Sequence, residues 1–122
     1  ENIFGPSSKM PSYTSEDLTA AKELRERLIT KYPNIMRAEN LGRMPNNVVF
    51  HAETTALLRA ARRNGGYLLG ESLDIYVDRP MCNNCDAILP LVSGELGNPT
   101  VTFLTRKGTK IKVLRDGKWE KE

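Results

Sequence analysis

The segment Ser72–Val77 sets Leu73, Ile75 and Val77 in alternation with Asp74 and Tyr76, between two stretches of helical character. A period of two marks a half-buried strand, and helices on either side of it in the chain imply a sheet covered by helices. Upstream, Ala52–Arg63 is rich in Ala, Leu and Arg, holds no breaker and closes on Asn64-Gly65-Gly66, which predicts a helix. Downstream, Cys82–Leu89 predicts a short helix ended at Pro90.

The remaining segments extend this plan. Thr14 followed by Asp17 is a variant of the capping box, and Leu18, Ala21, Leu24 or Arg25, Leu28 and Tyr32 recur at helical spacing. Together they predict a helix over Ser15–Lys31, stopped by Pro33. Ile35–Ala38 and Asn47–Phe50 predict short strands, the second of them buried. Thr100–Thr105 and Lys110–Leu114 flank Arg106-Lys107-Gly108-Thr109, a hairpin whose short loop forces antiparallel pairing. Asp116-Gly117 makes one more turn before Trp119. The order α, β, β, α, β, α, β, β is that of an α/β fold with a five-stranded mixed sheet whose last two strands form an antiparallel hairpin.

A chain of 122 residues is expected to form a single domain, 1–122, with residues 1–13 as a loosely structured arm. No apolar run exceeds three residues, so no membrane segment is expected. The chain begins Glu1-Asn2 rather than with Met, which suggests a processed product or a piece excised from a longer protein.

The net charge of +3 is mild, but its distribution is uneven. From Pro99 to Lys118 the basic residues Arg106, Lys107, Lys110, Lys112, Arg115 and Lys118 face one acid, Asp116. Arg59, Arg62 and Arg63 lie in a stretch with no acid at all. Clustered cations are the electrostatic footprint of a polyanion binder, with a solvated basic face as the ordinary alternative.

Three pieces carry chemistry: His51-Ala52-Glu53 at the head of one predicted helix, Pro80, and Cys82-Asn83-Asn84-Cys85 at the head of another. Each has an ordinary reading alone. A histidine at a helix start caps or packs, a first-turn glutamate complements the helix dipole, and a lone C-x-x-C is a metal, redox or chance pair. Together, one imidazole and two thiolates give zinc three protein ligands and leave a fourth tetrahedral position for water. The chain has one His and two Cys, so neither residue type can close the site. A carboxylate could in principle, but Glu53 beside His51 is better placed as a base for the water. A thioredoxin-like redox pair would need neither the His-x-Glu nor this chain order. Three ligands argue for catalysis.

These residues resemble the H-x-E…P-C-x-x-C motif of the zinc-dependent cytidine and nucleobase deaminases, and the element order resembles the cytidine-deaminase fold over residues 14–114. The resemblance implies a three-layer α-β-α architecture, one Zn2+ per chain held by His51, Cys82 and Cys85, Glu53 as the catalytic proton carrier, and hydrolytic deamination of cytosine to uracil. In that family proline directly precedes the first cysteine; here Met81 lies between Pro80 and Cys82, so the backbone there differs. The family meets the exocyclic amine of the base at the positions of Pro80 and Met81. It places an asparagine near the sugar or base, which Asn46 or Asn47 resembles. The small size, the missing Met and the terminal hairpin are similar to the toxin domains of bacterial polymorphic secreted effectors. That likeness implies a domain excised from a secreted effector, acting in the target-cell cytoplasm and blocked by a cognate immunity protein.

A base stacked in a duplex is out of reach of such a site, so the substrate is single-stranded or flipped out. Single strands are held by a basic groove with aromatic stacking, for which Arg43, Arg62, Arg106, Lys107 and Lys110 are candidates, with Asn46 and Asn47 as neutral contacts. Phe50, Tyr76 and Phe103 read as core; Trp119 reads equally as packing or contact. Single-stranded DNA is the leading substrate. Double-stranded DNA, RNA, free nucleosides or adenine are alternatives, the basic tail arguing against nucleosides. A non-catalytic zinc-stabilised nucleic-acid-binding module and a thiol-disulfide oxidoreductase are the readings from other classes.

Overall fold

Reciprocal capping starts α1 (Ser15–Lys31): the Asp17 amide donates to Thr14 Oγ1 at 3.1 Å, and the Thr14 amide donates to Asp17 Oδ2 at 2.9 Å. Both donors would otherwise be orphans of the helix terminus. The computed structural model describes residues 2–3, 11–37, 46–77, 83–105 and 107–120, of which 2–3, 47 and 83–85 by backbone alone. Ala21, Leu24 and Leu28 are buried along one stripe of α1, as their spacing predicts. Beyond Lys31 the Tyr32 carbonyl accepts from the amides of Ile35 and Met36, at 3.0 and 2.8 Å. Those amides are consumed in a turn and have nothing left for a ladder. The strand expected at Ile35–Ala38 is therefore absent over 35–37, and Ala38 lies outside the described residues.

Asn46–Phe50 is a 3-10 helix, not the strand expected at Asn47–Phe50. Val48 and Val49 are both fully buried, and a short apolar run buried on all sides does not distinguish strand from helical turn by its pattern. The Val48 carbonyl accepts from the His51 amide at 3.0 Å and from Thr54 Oγ1 at 2.9 Å, so it turns toward the next helix and not toward a neighbouring strand. That next helix, α2 (Ala52–Arg63), has the predicted bounds. It ends where Gly65 and Gly66 take φ of +77° and +101°, a region glycine enters without a Cβ penalty.

The sheet contains β1 (Asn2–Ile3), β2 (Ser72–Val77), β3 (Thr100–Thr105), β4 (Lys110–Arg115) and β5 (Lys118–Trp119), side by side in that order. β2 pairs in parallel with β1 and β3, whereas β4 pairs antiparallel with β3 and β5. The class is α/β with a mixed sheet, and the Thr100–Arg115 hairpin is antiparallel as expected. Two of the five expected strands are replaced. β1 comes from the amino-terminal arm and β5 from the tail, in place of the two segments ahead of α2. Three six-residue strands carry the sheet and a two-residue strand flanks it on each side.

Leu73, Ile75 and Val77 align with Val101, Phe103 and Thr105, so one face of β2 and β3 is apolar and buried up to the half-buried Thr105. The other face exposes Ser72 and Asp74 and leaves Tyr76, Thr102 and Leu104 half-buried. α3 (Asn83–Glu95) crosses from β2 to β3 and runs on through Pro90, five residues past the predicted stop, burying Ile88, Leu89 and Val92. The three helices pack on one another, and α2 also packs on β2. Burying one Leu or Phe side chain of this core contributes about 1.5–3 kcal/mol relative to exposure. No helix among the described residues is long and apolar enough to cross a membrane.

Candidate active site

His51 is the N-cap of α2, with φ −79° and ψ 158°, and its side chain makes no capping bond to the helix. Its carbonyl begins the helix by accepting from the Thr55 amide at 3.0 Å and Thr55 Oγ1 at 3.1 Å. The imidazole is thus not committed to closing the helix end, a task that histidine performs poorly beside Ser, Thr, Asp or Asn. Glu53 lies in the first turn, half-buried like His51. A carboxylate at this point sits in the favourable field of the helix amino terminus.

The chain topology fixes what lies opposite. β2 and β3 run parallel, so α3 between them returns antiparallel to both and starts at the carboxyl edge of β2. α2 packs on β2 and on α3 and enters β2 at its amino edge, so its own amino terminus also points to the carboxyl edge. The 3-10 helix that delivers His51 packs against α3 as well. His51, Glu53 and the first turn of α3, which includes Cys85, therefore share one end of the sheet. The carboxyl edge of parallel strands is where open α/β sheets place ligands. A cleft lined by Leu69, Glu71, Asn98 and Asp116 lies at the opposite edge, beside the first residues of β2 and β3.

The other candidate residues separate into groups. Asn46 is fully buried; its Nδ2 donates to the Arg37 carbonyl at 2.7 Å, and its Oδ1 has no hydrogen-bond partner. Asn47 is placed by backbone only, in the 3-10 helix, and Cys85 likewise in α3. Arg43, Pro80, Met81, Cys82 and Arg106 lie outside the described residues. Among the described residues no three His, Cys, Asp or Glu side chains cluster to hold a metal, the thiols of Cys82 and Cys85 not being among them. Lys107 and Lys110 are exposed at the β3–β4 turn. Arg62 is engaged by Asp17, 2.7 Å from Nη2 to Oδ1, with about a third of the side chain exposed (35%).

Two contacts near the site join it to distant parts of the chain. The Arg25 guanidinium lies 5.4 Å from the centroid of Phe50, the residue before His51, so α1 reaches the start of α2 by a cation–π contact. Asp86, the residue after Cys85, is held by Lys112 and Trp119 from the end of the chain. Trp119 therefore packs; its ring also lies 5.8 Å from that of Phe103, inclined by 53°. Position 25 falls on the helical stripe of α1, the one hint available beforehand. For Lys112 and Trp119 no local hint exists.

Comparison with curated proteins and with solved structures finds no match. A family model does match, over residues 18–119, which include α1 from Leu18 onward, the His51-Ala52-Glu53 turn, the C-x-x-C segment and the sheet from β2 to β5. The protein belongs to the MafB19-like deaminase family, and it is a deaminase.

Proposed function

We propose that the protein is a zinc-dependent cytosine deaminase that converts cytosine to uracil in single-stranded DNA. The observation that carries this reading is the convergence of the two helix amino termini, one bearing His51 and Glu53 and the other Cys85, at the carboxyl edge of the parallel strands.

The donor set suits zinc. His51 does not use its imidazole to cap α2, Cys85 lies in a helix first turn whose amides favour a thiolate, and Cys82 precedes that turn. Zinc held by His51, Cys82 and Cys85 supplies the Lewis acidity that makes a water nucleophilic at neutral pH. Glu53 does the proton work. Its carboxylate accepts the proton of the attacking water, delivers it to N3 of cytosine, and assists departure of ammonia from C4. Pro80, Met81 and one of Asn46 or Asn47 hold the base. The unpartnered, buried Oδ1 of Asn46 keeps an acceptor on the segment leading into His51.

Lys107 and Lys110 extend a basic surface along the hairpin, with Arg43 and Arg106 as further contacts, and support a polymer over a free nucleoside. The resemblance to toxin domains of bacterial secreted effectors supports a role in the target-cell cytoplasm and a cognate immunity protein as partner. The deciding experiment is sequencing of DNA and RNA after incubation with the pure protein, with Glu53→Ala as control. C-to-U changes in single-stranded DNA are expected. Conversion confined to RNA, to duplex or to adenine, or equal conversion by Glu53→Ala, would overturn the corresponding part.

A further inference from the structure

Pro90 occupies the interior of α3, and a proline has no N–H. In α-helical geometry the carbonyl it deprives is that of Asp86, four residues earlier, which the pyrrolidine ring also crowds. That carbonyl has another partner: the indole Nε1–H of Trp119 donates to it at 2.7 Å. The side chain of Asp86 is tied to the same part of the sheet, with Lys112 Nζ 2.8 Å from Oδ1. Lys112 Nζ in turn lies 4.9 Å from the centroid of the Trp119 ring.

Each of these groups is placed by the sheet. Lys112 stands opposite Phe103, and a register irregularity between Phe103 and Leu104 follows at once. Trp119 stands opposite Leu114 and packs on Phe103. The residue directly after Cys85 is thus fastened to β4 and β5 through both its main chain and its side chain. An ordinary helical amide at position 90 would satisfy the carbonyl but would fix it only relative to α3. A donor from β5 fixes it relative to the sheet, on which α2 also packs.

We propose that Trp119 is a positioning residue for the Cys85 turn of α3, its indole N–H standing in for the amide that Pro90 lacks. The proposal rests on the reading of Cys85 as a zinc ligand. Partners just outside a metal's ligands orient those ligands, and their loss commonly weakens metal binding about 10–100-fold. The tail of the chain thereby sets a ligand in a helix that precedes it.

The test is Trp119→Phe, which keeps an aromatic ring on Phe103 and under Lys112 but removes the N–H. Zinc transfer from the loaded protein to a chromogenic chelator is expected to rise about tenfold, and hydrogen exchange at Ala87, Ile88 and Leu89 to accelerate while α1 is unaffected. Adding Pro90→Ala to the same chain gives Asp86 back a helical donor and is expected to return the exchange toward wild type, while zinc transfer stays raised because that donor ties Asp86 to α3 alone. A tryptophan that merely packs would gain nothing from a change at Pro90. Wild-type values in Trp119→Phe, or no recovery of the exchange in a folded double variant, overturn the proposal. Should Trp119→Phe alone fail to fold, recovery of the fold by Pro90→Ala supports the proposal and failure to recover it overturns the proposal. A wild-type protein that holds no zinc on metal analysis would overturn the zinc reading instead, and the exchange data then decide the role of Trp119 alone.

Discussion

Arg59 donates from Nε to Asp17 Oδ1 at 3.0 Å and from Nη2 to Asp17 Oδ2 at 2.5 Å, joining the middle of α2 to the first turn of α1. Asp17 is 2% exposed, and its remaining acceptor positions go to the Thr14 amide and to Arg62. Arg59 Nη2 also donates to the Ser12 carbonyl at 2.9 Å, which holds the chain entering α1. One carboxylate therefore caps a helix and orients the partner helix that presents His51 and Glu53. The bidentate geometry suits arginine, and lysine would not reproduce it.

Asp17→Ala should be the most damaging polar substitution in the described part of the chain. It strands two arginines that are only partly exposed and removes one bond of the capping box, that from the Thr14 amide to the Asp17 carboxylate. Breaking a buried pair from one side costs about 3–5 kcal/mol, and loss of an N-terminal cap bond about 1 kcal/mol. Urea unfolding should show the midpoint lowered accordingly, with Arg59→Ala coupled to it in a double-mutant cycle. A loss under about 1 kcal/mol would show that the pair is not a structural tie.

Acid stability should report the same carboxylate. Hydrogen bonds from Arg59 hold the Asp17 carboxyl well below the usual carboxylate range, with Thr14 and Arg62 adding to them against the opposing effect of burial. A group depressed in the folded state stabilises fully above its unfolded value, about 3.9 for aspartate, and loses that contribution as pH falls toward the folded value. Between about pH 5 and pH 2 the wild type should lose stability more steeply than Asp17→Asn. Parallel curves for the two proteins would remove Asp17 from the acid limb.

Glu53→Gln should separate chemistry from fold. The change keeps the shape of the side chain and costs at most about 0.3–1 kcal/mol of helix-terminus electrostatics. Deamination should fall by a factor of about 10²–10⁴ or more, while bound zinc and the thermal midpoint stay close to wild type. Ammonia release at an unchanged rate would displace Glu53 from its role.

Salt dependence of binding should sort the cations. For single-stranded DNA each phosphate neutralised contributes a slope of about −0.7 in log K against log salt. Lys107→Ala and Lys110→Ala should each make that slope shallower by about 0.7. Arg62→Ala should chiefly lower stability, because its guanidinium is engaged by Asp17. An effect of Arg62→Ala on the slope equal to that of the lysines, with stability intact, would reverse the assignment.

The sequence by itself determined the bounds of α1, α2, β2 and β3, the antiparallel hairpin, and the motif that pointed to a deaminase. Those features are written locally: Thr14 and Asp17 meet within one turn, Asn64-Gly65-Gly66 stops a helix where it stands, and the alternation from Leu73 to Val77 is its own evidence. Four matters were settled only in three dimensions. Val48 and Val49 are helical because α1, α2 and α3 surround them, whereas their apolarity alone fits a strand equally well. The two short strands at the sheet edges exist because β2 and β4 offer them a ladder. Arg62 is tied to an acid 45 residues earlier in the chain. Pro90 does not end α3, because a tryptophan 33 residues beyond Asp86 supplies the donor that the proline lacks. Local rules describe what a segment prefers when its hydrogen bonds must be met nearby, and the tertiary structure decides wherever the missing partner comes from far along the chain.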